Sequence, residues 1–162
     1  GERTPLFDPD ARGVLAGLTL RHTRGDIYRA ALEATAYGVR HNLEAMRGAG
    51  GQDRRLVAVG GGTKGGLWTQ IVSDVVGAPQ QLPCQTMGAC LGDALLAAIG
   101  IGESPEITQI DMAQWNPIAT TIEPHPERSA TYERFYALYG ELYPNTKKIA
   151  HALAREQRNG GS

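Results

Sequence analysis

Two rhythms of apolar and polar positions run along this chain. Between residues 23 and 47, Tyr28, Leu32, Thr35, Val39, Leu43 and Met46 recur every three or four positions, which predicts an amphipathic helix. Thr23 stands at its start with Asp26 three residues on, the reciprocal spacing of a capping box. Ala30, Ala31, Ala34 and Gly38 give a small-residue face, and Gly48, Gly50 and Gly51 predict the end. Residues 55–59 (RLVAV) break the rhythm. They are a short β-branched run bounded by glycines, which predicts a buried strand. GGGTKGG follows, and then Leu67, Trp68, Ile71, Val72 and Val75 mark one stripe of a helix over 67–76. Gly77 and Pro79 stop it, QQLP (80–83) reads as a second strand, and 88–99 reads as a helix with Leu91, Leu95, Ala98 and Ile99 inward.

The flanks are less regular. Residues 1–20 carry turn signals at Asp8-Pro9 and Arg12-Gly13, and VLAGLTL (14–20) is a weak extended segment. Residues 103–125 read as loop with one extended piece around ATTIEP. A helix over 126–143 carries an aromatic stripe of Tyr132, Phe135, Tyr136, Tyr139 and Tyr143, whose role is packing. Pro144 is expected to interrupt it before a charged continuation over 145–157. Helix, strand, helix, strand, helix implies an α/β layer fold with parallel strands. Two strands do not make a stable sheet. The others must come from 1–20, from 117–123, or from protein outside this chain.

Size and charge narrow the classes. The chain has 162 residues, the scale of one domain, taken as 1–158 with a frayed tail at 159–162. Its formal net charge of -1 points to neither a nucleic-acid nor an acidic-membrane partner. No apolar stretch has spanning length. Cys84 and Cys90 fit neither a zinc motif nor a disulfide framework, so a reducing cytoplasm is the default. The opening GERTPLFDPDARG has neither an initiator Met nor a helix cap, and reads as a loop inside a larger protein.

The candidate chemistry lies at Gly60–Gly66. A glycine-rich turn from strand to helix presents backbone N–H groups and the positive end of the helix dipole, which suits phosphate. Gly60 to Gly65 formally fits G-x-G-x-x-G, but the next strand ends in Leu82, Pro83, Cys84 and Gln85 without the ribose-binding carboxylate. Lys64 is followed by Gly65 and Gly66, so the P-loop pattern also fails. Taken alone, the run suits a ligand contact and a plain tight turn equally.

Longer stretches add to this. GGGTKGGLWTQIVSDVVGAPQQLP, MGACLGDALLAAIGIG, the opening 46 residues and the closing YERFYALYGELYP resemble the C-terminal domain of FGGY carbohydrate kinases, most of all the xylulokinase-like branch. The resemblance implies a ribonuclease-H-like domain of the actin-like ATPase fold, lacking its first strands here, as the C-terminal half of a two-domain sugar kinase. It implies ATP and Mg²⁺ as cofactors and a pentulose such as xylulose as acceptor. The adenosine-contacting Gly-Gly pair falls on Gly61 and Gly62, with Lys64 as a neighbour of the nucleotide. The position where the family often has Ser or Asn falls on Gly65. Catalytic base, sugar pocket and phosphate loops fall upstream, so no catalytic or metal-ligating residue is assigned here and this chain alone is expected to be inactive. An unpaired sheet edge and apolar face imply self-association. Two alternatives stand beside this reading: a Rossmann-like nucleotide module without kinase activity, and a non-catalytic association fragment.

Other polar residues have plainer readings. Asp74 and Asp93 are expected as caps, surface carboxylates or local ion-pair members, His22 and His41 as structural groups, and Glu2 with Arg3 either near the interdomain cleft of a parent protein or as a surface ion pair.

Overall fold

The computed structural model describes residues 1–52 and 55–160. They divide into a helical unit, 1–52 with the segment from Glu127 onward, and a sheet unit ending at Pro126.

In the helical unit, α1 (Arg24–Gly48) begins as its sequence predicts. Asp26 N–H donates to Thr23 Oγ1 (3.3 Å), and Thr23 N–H donates back to Asp26 Oδ2 (2.7 Å). The bonds that Thr23 N–H and Thr23 Oγ1 donate to Asp26 Oδ2, both 2.7 Å, hold the Asp26 carboxyl below its ordinary pKa. The far end closes with Gly51 N–H on Met46 O and Gly50 N–H on Arg47 O, both 2.9 Å, a Schellman pattern. The buried face differs from the predicted stripe. Tyr28 (64% exposed) and Met46 (59%) face outward, while Ala36 and Tyr37 are buried. Periodicity marks an apolar stripe without naming its partner, and in this unit the partner of α1 is α5 (Pro126–Asn159).

The two helices meet through aromatic and charged side chains. The Tyr37 ring lies 6.3, 5.9 and 5.4 Å from those of Tyr132, Tyr136 and Tyr139. Such pairs add to the stabilisation from area burial. Arg40 donates to both carboxylate oxygens of Glu133 (2.7 and 2.9 Å) and stacks over Tyr136, 4.1 Å from its centroid. Four of the five predicted aromatic positions thus pack or bond inward, and Phe135 is exposed.

Pro144 does not interrupt α5. Its ring leaves the Gly140 carbonyl without a helical N–H. On the next two carbonyls side chains supply bonds: Asn145 Nδ2 to Glu141 O (2.8 Å) and Thr146 Oγ1 to Leu142 O (2.6 Å). The opening loop is fastened to this half of α5. Buried Asp8 accepts from Tyr143 Oη and His151 Nε2, both 2.7 Å, and Asp10 pairs with Arg158. Residues 14–19 form no strand.

The sheet unit holds β1 (Leu56–Val57), α2 (Gly66–Val76), β2 (Gln80–Pro83), α3 (Ala89–Gly100), a single-turn α4 (Met112–Trp115) and β3 (Ile118–Ile122). Sheet order is β1-β2-β3. β1 and β2 run parallel, as expected for a strand–helix–strand unit, with Leu56 opposite Gln80. β3, from the expected 117–123 segment, pairs antiparallel instead. The backbone continues from β2 to β3 through α3 and loop and returns along the free side of β2. β1 is shorter than predicted and not buried: Val57 and Val59 are exposed, because only β2 pairs with it.

The core of this unit is α2, whose Ile71, Val72 and Val75 are buried. Burying three such side chains contributes about 1.5–3 kcal/mol each before entropy is counted. α3 turns Leu95 fully inward with Leu91, Ala98 and Ile99 half-buried, the predicted face. The predicted 159–162 tail begins at the last residue of α5, and residues 161 and 162 lie outside the described part.

Candidate functional site

The glycine run leaves β1 and enters α2, so the chain must reverse within seven residues. Gly60 makes the first bend at φ +93° and ψ -176°, a backbone conformation that side chains oppose. Its N–H donates to Thr86 O (2.5 Å), which ties the turn to the connection leading from β2 to α3. Thr63 Oγ1 donates to Gly60 O (2.7 Å) and closes the turn on itself. Gly61–Lys64 then form one turn of 3₁₀ helix, and Gly65 is the N-cap of α2.

The four expected site residues, Gly61, Gly62, Lys64 and Gly65, therefore lie in one loop, and they differ in what surrounds them. A Cβ at Gly61, Gly65 or Gly66 would meet nothing within 4 Å. A Cβ at Gly62 would lie 2.8 Å from Cε3 and 3.3 Å from Cη2 of Trp68, and closer still to Cζ3. Lys64 is exposed, and among the described residues its ammonium has no carboxylate partner.

Electrostatics favour an anion here. α2 starts without a side-chain cap and without an acidic residue in its first turn. The dipole's positive end lies at exposed Gly65 and Gly66, next in sequence to exposed Lys64. By contrast, the interior of α2 is fully tied. The Asp74 side chain is 0% exposed. Its Oδ1 accepts from His125 N–H (2.8 Å) and Gln70 Nε2 (2.9 Å), with His125 Nδ1 at 3.0 Å. Gln70 Nε2 also donates to Glu123 O (2.9 Å), and Ser73 Oγ to Ile122 O (3.1 Å). Asp74 is thus the local structural partner its sequence reading gave it, and Asp93 is exposed on α3.

A match to the sequence profile of the FGGY family of carbohydrate kinases, C-terminal domain, covers residues 1–101. The chain belongs to the FGGY family. It is 32% identical over 153 residues to a xylulose kinase of Staphylococcus epidermidis, covering 94% of this chain and 31% of that protein. It is 36% identical over 143 residues to a ribulokinase of Mycolicibacterium smegmatis, covering 88% of this chain and 25% of that one. The crystal structure of a xylulose kinase from Rhodospirillum rubrum superposes with a TM-score of 0.76 at 33% identity, over 90% of this chain and 29% of that chain. The chain thus spans about a quarter to a third of the length of the curated relatives it matches. Its fold is the actin-like ATPase fold of FGGY kinases, represented by the C-terminal domain.

The histidine and Glu2–Arg3 candidates of the sequence belong to the helical unit. His22 Nδ1 accepts from Thr19 N–H (2.9 Å) in an exposed loop, and His41 is half-buried on α1. Glu2 accepts from Arg3 N–H (2.9 Å) and bridges to Asp8 through its backbone. In the helical unit a cleft of about 340 Å³ is lined by Arg29, Glu33, Arg128 and Tyr132, among others. Arg29 in it already donates to Glu33 (2.8 Å) and Tyr132 (3.1 Å), so it offers little to a ligand. Among the described residues no three His, Cys, Asp or Glu side chains gather to hold a metal ion, and no helix is long and apolar enough to cross a membrane.

Sequence reasoning placed Trp68 on the apolar stripe of α2 and missed its contact with Gly62. The signal was the spacing of one aromatic six residues beyond a glycine, where a single tight turn folds it back.

Proposed function

We propose that residues 1–158 are the nucleotide-holding domain of a cytoplasmic sugar kinase that transfers the γ-phosphate of ATP to a sugar hydroxyl. A pentulose, with xylulose favoured, is the proposed acceptor. The relatives named xylulose kinase and ribulokinase support that choice. The observation that carries the reading is the β1–α2 turn, where α2 starts without a side-chain cap and the side-chain directions of Gly61 and Gly65 are open.

In this reading Gly61 and Gly62 let the adenosine end of ATP approach the backbone closely, as a side chain there would not. Lys64 and the first N–H groups of α2 offer positive charge to its polar edge. Gly65 provides no side-chain hydrogen bond, so the nucleotide is held by shape and backbone there. Mg²⁺ suits the phosphates of ATP better than any carboxylate set among the described residues. In the transfer, the acceptor oxygen attacks the γ-phosphorus, the bond to the β-phosphate oxygen breaks, ADP leaves and the hydroxyl proton passes to a base. This chain holds ADP in place and does not move that proton. Self-association through the exposed Phe135, Leu138, Ile149 and Leu153 of α5 is part of the proposal, and a concentration-independent monomer in light scattering would remove it.

Calorimetric titration of the chain with ATP, ADP and NAD tests the reading. ATP and ADP should bind and NAD should not. Binding of NAD without ATP would replace the kinase reading with the Rossmann-like alternative. Coupled assays of a protein carrying this chain across xylulose, ribulose and glycerol then rank the acceptors.

A further inference from the structure

We propose that Trp68 is a positioning residue for the nucleotide turn: its indole is the internal template against which Gly62 is moulded, and through Gly62 it fixes the direction of the Gly61 and Gly62 peptides. This rests on the nucleotide role of the turn given above.

Hydrogen bonds and one ring hold the turn. Thr63 donates to Gly60 O through its N–H (3.2 Å) and its Oγ1 (2.7 Å), and Gly60 N–H on Thr86 O fastens the entry. These bonds meet at Gly60. Gly62 is backed instead by the ring of half-buried Trp68, packed so close that no Cβ fits between them. Trp68 lies in the first turn of α2, just ahead of Thr69 and Ile71, which are buried. The backbone that carries the ring is therefore anchored in the core, and the ring extends from that anchor to the turn. The two glycines of the expected pair thus have separate causes. Gly62 is a glycine because Trp68 occupies the volume behind it. Gly61 has no such neighbour, and its open side is left for a ligand. A peptide group held to a fixed direction presents its N–H to a ligand without first losing its own freedom, and that preorganisation favours affinity.

The experiment uses Trp68→Leu, Gly62→Ala and the double variant, each titrated with ATP and followed by amide hydrogen exchange over residues 60–66. Trp68→Leu should weaken ATP about tenfold and speed exchange at 60–66 severalfold, while exchange in residues 71–75 stays slow. Gly62→Ala should weaken ATP at least as much, and its methyl should be largely accommodated once Leu replaces the ring, so that the double variant binds ATP better than Gly62→Ala alone. In a Trp115→Phe background, ATP should change the fluorescence of Trp68, the remaining tryptophan. Unchanged exchange at 60–66 in Trp68→Leu, or an Ala cost at 62 that is the same with Trp and Leu, would overturn the proposal. Should the parent chain bind no ATP, the nucleotide role of the turn falls, and the exchange measurement alone then decides whether Trp68 orders it.

Discussion

Helices α1 and α2 begin in opposite ways. α1 is closed by its own sequence, with Thr23 and Asp26 exchanging bonds at the start and Gly50 and Gly51 satisfying the last carbonyls. α2 starts at a bare Gly65 and is held from its middle, by Asp74, Gln70 and Ser73 on the segment 122–125. A helix secured at its ends needs nothing further from solvent or ligand. One secured from its middle can start without a side-chain cap, and it does so beside the glycine turn.

If α2 is anchored at its middle, the largest loss comes there. Asp74→Ala empties a fully buried position and removes the acceptor shared by His125 N–H and Gln70 Nε2, and should destabilise the chain by about 3 kcal/mol in urea unfolding. A cost near zero would mean that α2 is held elsewhere. Gly60→Ala comes next, because a Cβ at φ +93° is strained whatever space surrounds it. It should cost about 1–3 kcal/mol and weaken ATP binding, as seen by urea midpoint and calorimetry together. Thr23→Ala removes the closed start of α1 and should cost about 1 kcal/mol with ATP affinity unchanged. A loss of affinity there would blur the contrast between the two starts. The smallest effect on stability belongs to Gly65→Ser. Its extended backbone (φ -107°, ψ 113°) accepts any residue, and a cap there should add only a few tenths of a kcal/mol. The same hydroxyl should tighten ATP by roughly threefold if the open start is a nucleotide site, since one neutral hydrogen bond contributes about 0.5–1.5 kcal/mol.

Much of this contrast was legible in the residues. Thr23 and Asp26 announce a cap by spacing alone, and glycines between an apolar run and a helical stripe announce the β1–α2 turn. The 117–123 segment was among those named as further strands, and the inward face of α3 was read correctly. What was not legible depended on partners. A stripe containing Tyr28 and Met46 states which side chains are apolar, but α5 chose Ala36 and Tyr37 instead, because charged and aromatic neighbours on α5 matched that face. The antiparallel β3 followed from the path of the loop before it, which no local pattern encodes. Pro144 was read as a break because its missing N–H is local information, whereas the side-chain bonds of Asn145 and Thr146 depend on rotamers. Gly61, Gly62, Lys64 and Gly65 were found as a group, yet their spelling could not separate the glycine that faces a ring from the one that faces open space.

The helical unit is assembled from two stretches of sequence, with the whole sheet unit between them. During synthesis, α1 emerges long before α5, the helix whose tyrosines cover Tyr37. β1, α2 and β2 can meet as soon as they leave the ribosome, since their pairings are close in sequence. α1 must wait for 34 further residues of α5 after the sheet unit is finished. The capping box and the Schellman end let α1 hold its shape through that interval, with Tyr37 and Ala36 uncovered until the last helix arrives.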